Sequence, residues 1–182
     1  MRPTPLGALG RGLVAGLAGT AAMDLLLYRR YRHGGGAQSL PEWELSAGLD
    51  DWDDAPAPAH VGRRVVEGLF QVTLDPRWAR LTNNVMHWGY GLAWGAQYGL
   101  VAGSSRSVRR NHGLAFGQVV FASGYVVLPL AKLYKPIWEY DATTLAKDLS
   151  AHLLYGVVTA EAFRLLHWSA SRPRRVSRIR RG

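Results

Sequence analysis

Apolar residues in this chain are bunched into four runs, about Gly10 to Tyr28, Val85 to Gly103, Gly113 to Leu133 and Leu149 to Leu166. Each approaches the roughly 20 residues that cross a hydrocarbon core of about 30 Å. Inside such a core the backbone must satisfy its own hydrogen bonds, and none of the runs alternates with a period of two, so helices are expected. The fold class implied is an all-α integral membrane protein with four transmembrane helices. The third run is the cleanest, with no formal charge from Gly113 to Leu130. The first resembles a signal peptide, with Arg2 and Arg11 before an apolar stretch that reaches Thr20-Ala21-Ala22, but it continues through Leu25, Leu26 and Leu27 and reads as an uncleaved helix.

Two of these runs carry the same signature, His87-Trp88-Gly89-Tyr90-Gly91 and His152-Leu153-Leu154-Tyr155-Gly156. The runs that precede them open alike, Gly12-Leu13-Val14-Ala15-Gly16 and Gly113-Leu114-Ala115-Phe116-Gly117. The order is then helix A, helix B, helix A′, helix B′, two pseudo-repeated helix pairs. Chance matches of small residues in membrane sequences are the competing explanation.

Glycine spacing says how such helices pack. Gly91, Gly95 and Gly99 recur at every fourth position and share one helical face, which lets another backbone approach closely. Gly12 with Gly16, Gly113 with Gly117, and Gly156 offer matching small faces.

His87 and His152 each stand four residues before a glycine of these stripes and are expected to face protein rather than lipid. Asp24 falls at the same depth near the outer end of the first span, and Tyr125 takes the corresponding place in the third. Asp24, His87, Tyr125 and His152 therefore form an expected outer polar layer, a candidate for proton or ion handling, with histidines that simply hydrogen-bond a neighbouring helix or the headgroup region as the plainer reading. Gln97 and Glu161 follow their histidines by about 14 Å of helix and, with Gln118 and Arg164, form an expected inner layer. For Glu161 and Arg164 an ion pair one turn apart is the simpler reading.

The segments between the spans differ in character. Residues 29–80 form an expected extracytoplasmic loop, flexible at Gly34-Gly35-Gly36, acidic at Asp50-Asp51-Trp52-Asp53-Asp54 and stiff at Pro56-Ala57-Pro58. The aspartate spacing is that of a solvated turn rather than a calcium loop. From Val61 to Val72 the apolar residues fall mostly on one face, as in an interfacial amphipathic helix. Residues 81–168 hold the other three spans, and 169–182 form a basic tail. That tail, together with Arg106, Arg109 and Arg110 between the second and third spans, places both termini in the cytoplasm by the excess of Lys and Arg. Arg29, Arg30 and Arg32 oppose this and are outweighed.

The formal net charge of +9 is concentrated in the tail. No aromatic residue interleaves its arginines, so anionic lipid headgroups rather than nucleic acid are the expected partner, and the glycine stripes allow a homo-oligomer as well as intrachain packing. The chain has 0 cysteines, which excludes disulfides, thiolate ligands and cysteine nucleophiles. No His-Glu-x-x-His, Gly-x-Ser-x-Gly, P-loop or dinucleotide fingerprint is present. No cofactor is expected on this ground, although His87 and His152 are candidate ligands for a divalent metal or a haem.

Gly113-Leu114-x-x-Gly117, Pro129-Leu130-x-x-Leu133, Pro136, His152 and Glu161-x-x-Arg164, within residues 80 to 166, resemble the YagU-like family of bacterial inner-membrane proteins. The resemblance implies a bacterial inner-membrane location and a several-helix fold, and it assigns no catalytic residue. The expected function is a small polytopic membrane protein that handles protons or a small ion or solute through its polar layers. A non-transporting scaffold and a haem- or metal-binding redox subunit are the alternatives.

Overall fold

A computed structural model describes residues 3–105, 112–130 and 132–171. They form six helices and no strand: α1 (Pro5–His33), α2 (Leu40–Glu44), α3 (Ala57–Phe70), α4 (Ala79–Ser104), α5 (His112–Leu130) and α6 (Ala142–Ser171). Single 3-10 turns at Pro76–Trp78 and Ile137–Glu139 lead into α4 and α6. The Arg106–Arg110 link and the tail from Arg172 onward, on which the expected orientation rests, lie outside the described residues.

The four apolar runs are the cores of α1, α4, α5 and α6, and each helix except α5 extends well beyond its run. α1 starts at a Thr4 cap, whose hydroxyl accepts from Gly7 N–H at 3.1 Å with Pro5 in the first turn. It stops because Gly35 takes a φ of +92° and lets Gly36 N–H bond back to Tyr31 C=O at 3.0 Å. The triple glycine expected to be flexible is thus a helix terminator of the Schellman type. Pro129 sits in the last turn of α5, and Lys132, at φ +57°, lets Leu133 N–H return to Leu128 C=O.

By length and composition, α1 and α5 are apolar enough to cross a membrane. α4 and α6, with 26 and 30 residues, have the length, but His87 and Gln97 in the one and His152, Glu161 and Arg164 in the other interrupt their apolar runs. The distribution of sizes is the reverse of a water-soluble helix. α1 buries Ala8, Gly12, Ala15, Gly16, Gly19, Thr20 and Asp24 while Val14, Leu17 and Leu25 are exposed. In α4, Val101 is 74% exposed while Gly91, Gly95 and Gly99 are buried, and in α5, Leu130 is 81% exposed while Gly113 and Gly117 are buried.

α1 lies between α4 and α6, and α5 packs on α6. Longer side chains join α5 to α4: Phe116 meets Trp94 and Tyr98 with ring centroids 6.1 and 4.8 Å apart, and Tyr90 and Ser123 hydroxyls are 3.0 Å apart. The α1–α4 seam is a ladder of small residues. Ala8 faces Gly103, Gly12 faces Gly99 and Gly16 faces Gly95; a Cβ on Gly95 would lie 2.5 Å from Gly16 Cα. One turn further Thr20 faces Gly91, its hydroxyl donating to Gly16 C=O at 2.9 Å.

The expected amphipathic helix exists as α3, but what it packs against α4 is its small face. Ala59 and Gly62 are buried, and a Cβ on Gly62 would strike Thr82 and Met86. Val65, Leu69 and Phe70 remain exposed, the last two at 73% and 70%. Within the acidic stretch all four aspartates are exposed, yet Trp52 between them is only 4% exposed. Its indole donates to Leu74 C=O at 3.2 Å, and the Arg63 guanidinium lies 5.1 Å above its ring.

Candidate functional site

The same small-residue ladder that joins α1 to α4 delivers a carboxylate to an imidazole. One turn beyond the Thr20–Gly91 rung, Asp24 faces His87, whose Nε2 lies 2.9 and 3.0 Å from the two carboxylate oxygens. Asp24 is only 2% exposed. A buried carboxylate needs hydrogen-bond donors, and the register of the helices holds His87 against it.

A third titratable group roofs this pair. α2 begins at Ser39, whose N–H and hydroxyl both bond to Glu42 at 2.8 and 2.7 Å, and it ends at Glu44. Trp43 stacks among Tyr28 and Tyr31 at the end of α1, with centroids 5.6 and 6.2 Å away. On the other side Arg80 and Asn84 donate to Leu45 C=O, and Asn83 donates to Ser46 Oγ. These attachments set Glu44 against Asp24, and Trp88 Nε1–H donates to it at 3.0 Å. Burial and the neighbouring Asp24 carboxylate hold Glu44 above the ordinary carboxyl range, while the Trp88 bond and His87 pull it down less strongly. Glu44, Asp24 and His87 thus form one contiguous cluster of two carboxyls and an imidazole.

His152 and Tyr125, expected in the same layer, sit in the other seam. The α5–α6 pair also packs through glycine, with Gly113 near Ala160 and Gly117 against Gly156. Continuing that ladder, Phe121 faces His152 with ring centroids 5.7 Å apart, and Tyr125 faces Asp148. When the Gly12–Gly16 and Gly113–Gly117 openings are aligned, the second pair is displaced by one helical turn from the first. His152 therefore meets an aromatic edge where His87 meets a carboxylate. Its Nδ1 lies 3.1 Å from Asp148, one turn earlier on its own helix. Tyr134 and Tyr140 close around Tyr125 at 5.9 and 5.4 Å. The four expected outer residues divide into two separate acid–imidazole pairs, and the structure adds Glu44 to one and Asp148 to the other.

The expected inner layer does not assemble. Gln97 and Gln118 are exposed, Gln97 bonding only along its own helix to Ala93 C=O at 3.4 Å. Each is displaced around its helix from the glycine stripe, two residues from Gly95 and one from Gly117, and so leaves the packed seam. Glu161 pairs with Arg164, whose Nε lies 2.9 Å from Oε2.

The tyrosines of the repeated signature have interhelical partners that the glycine pattern did not indicate. Tyr155, 3% exposed, passes Gly19 of α1 to donate to Gly91 C=O on α4 at 2.6 Å. A Cβ on Gly19 would meet its ring at 2.9 Å.

Among the described residues, no group of three or more His, Asp or Glu side chains is placed to hold a metal ion. His87 and His152 each engage their own carboxylate. What the first cluster offers chemically is reversible protonation next to a small helix that can feel the change in charge. Comparisons with family models, curated proteins and solved structures find no match for this chain.

Proposed function

We propose that this chain is a bacterial inner-membrane protein of four spans that takes up and releases protons at its outer face through Glu44, Asp24 and His87. The carrying observation is the buried Asp24 carboxylate with both oxygens on His87 and the Glu44 carboxyl, raised by burial, above it. Small residues inside and large apolar residues outside support the membrane reading, because lipid removes the penalty for leaving Leu and Val uncovered. The YagU-like resemblance supports the inner membrane. Exposed Gln97 and Gln118 would be costly against lipid and favour a second copy of the chain on that side.

Inward from Asp24 the α1–α4 seam is backbone against backbone, with the Thr20 hydroxyl already bonded to Gly16. No polar path leaves the cluster along that seam, so proton binding coupled to the seating of α2 fits better than conduction through it. Glu44 has a raised pKa when folded, so the stability it contributes is present below the ordinary carboxyl value and is lost as pH rises through its raised value. α2 is therefore expected to seat more firmly in mild acid and to loosen as Glu44 ionises beside Asp24. Spin labels on cysteines replacing Leu40 and Leu81, in a chain with 0 native cysteines, report this movement. The distance distribution is expected to lengthen and broaden with rising pH, and Glu44→Gln to abolish the dependence. A distance that ignores pH in the unmodified cluster overturns the reading.

With both termini cytoplasmic, residues 29–80 face outward, which puts the Glu44 cluster at the outer surface. A reporter fused after Gly103 is expected to give a cytoplasmic signal. An extracytoplasmic signal from that fusion overturns the orientation.

A further inference from the structure

A cavity in the described residues lies away from Asp24, along α3. It has a volume of about 420 Å³ and is lined by His60, Arg63, Arg64, Glu67, Gly68 and Leu133. That is within the size range of small-molecule sites. Its one carboxylate is already engaged: Glu67 accepts from Leu74 N–H at 3.0 Å and from Arg63 Nε–H at 3.0 Å, and these bonds hold it below the usual carboxylate range. With Glu67 ionised and both guanidiniums charged, the walls carry net positive charge before His60 is counted.

Two features specify what such a cavity takes. Guanidinium forks match the geometry of phosphate oxygens. Immediately after the cavity residues, Leu69 and Phe70 stand 73% and 70% exposed, and Val72 follows at 48%. A cationic recess bordered by uncovered apolar side chains matches an amphiphile with an anionic head and a hydrocarbon body. Contact with lipid accounts for the uncovered Leu69 and Phe70, and the basic recess beside them adds the demand for an anionic head.

We infer that this recess binds the phosphate-bearing headgroup of an anionic phospholipid, with Arg63, Arg64 and His60 around the phosphate and Leu69 and Phe70 against the acyl chains. The inference rests on the membrane reading, because it places α3 in the outer headgroup layer, but not on proton handling by Asp24. The lipid site differs in kind from the Arg-rich tail: it is a cavity lined by residues of α3 rather than a run of arginines in the sequence.

Short-chain lipids separate these sources. The full chain in a neutral detergent, at one fixed pH, is titrated with dioctanoyl phosphatidylglycerol, dioctanoyl phosphatidylcholine and inorganic phosphate, with bound lipid counted by native mass spectrometry. Phosphatidylglycerol is expected to bind saturably and at least tenfold more tightly than phosphatidylcholine. Arg64→Gln is expected to weaken it about tenfold. Gly68→Leu should do the same with every charge kept, since a Cβ at Gly68 meets nothing within 4 Å and the side chain would enter the recess. Equal binding of the two lipids, or unchanged binding in both variants, overturns the site and leaves the tail as the lipid contact. Inorganic phosphate binding as tightly as phosphatidylglycerol overturns the lipid assignment in favour of a free anion. Asp24→Asn is expected to bind lipid normally, so failure here and failure of the proton reading are told apart.

Discussion

Gly95→Leu is expected to be the most destabilising single substitution in the α1–α4 seam. A Cβ at this position would lie 2.5 Å from both Gly12 C=O and Gly16 Cα, and all of these are backbone atoms that no rotamer change can move aside. The helices must separate, which also loosens the rungs on either side, so the cost falls at the upper end of the overpacking range, about 3 kcal/mol. Gly91→Leu should be milder because its nearest neighbour is the Thr20 side chain, which can rotate. Gly89, in the same sequence signature, has nothing within 4 Å, and Gly89→Leu should leave stability nearly unchanged. Thermal unfolding of the three variants in detergent checks the order. Equal effects at positions 89 and 95 would mean that the stripe does not face α1.

The second large effect is expected at Asp24. Removing one member of a buried ion pair leaves the other without compensation, and such losses are about 3 kcal/mol or more. Asp24→Asn and His87→Asn should each destabilise the protein, and the double variant should cost much less than the two together. Additive losses would show that the two side chains are neighbours without energetic coupling. The Asp24→Asn variant should also shift the pH at which α2 loosens towards lower values, because the nearby carboxylate that helps to raise Glu44 is gone. Helix packing alone gives no reason for that shift.

The sequence made the long helices legible because apolar runs and glycine periodicity respond to the same demand, close backbone packing. It located their ends less well. α6 begins at Ala142, seven residues before its apolar run, because Asp141 caps it by accepting from Thr144 N–H at 2.9 Å. α2, capped by Ser39 with Glu42, was not read at all, since five residues between two loops hold no periodicity. Asp24 and His87 were legible as one layer because they fall at the same depth near the outer ends of their runs, and His87 heads the glycine stripe of α4. Glu44 was not, since its place depends on how a loop folds back over α1 and α4. Asp148 was within reach of sequence reasoning, one turn before His152. The exposure of Gln97 and Gln118 was also readable from their angle to the glycines, whereas depth alone had grouped them with the inner residues.

α1 is the first helix in the chain and the middle one in the structure. One flank, from Ala8 to Asp24, meets α4; the other, at Gly19, is covered by Tyr155 and Thr159 of α6. At synthesis rates of about 5 to 20 residues per second, α1 and α4 are complete several seconds before Tyr155 is made, and until then Gly19 lacks its cover and the Gly91 carbonyl its tyrosine donor. A nascent chain that had paired α1 with α4 would therefore present an open small-residue groove, closed when Tyr155 crosses it to join α6 to α1 and α4.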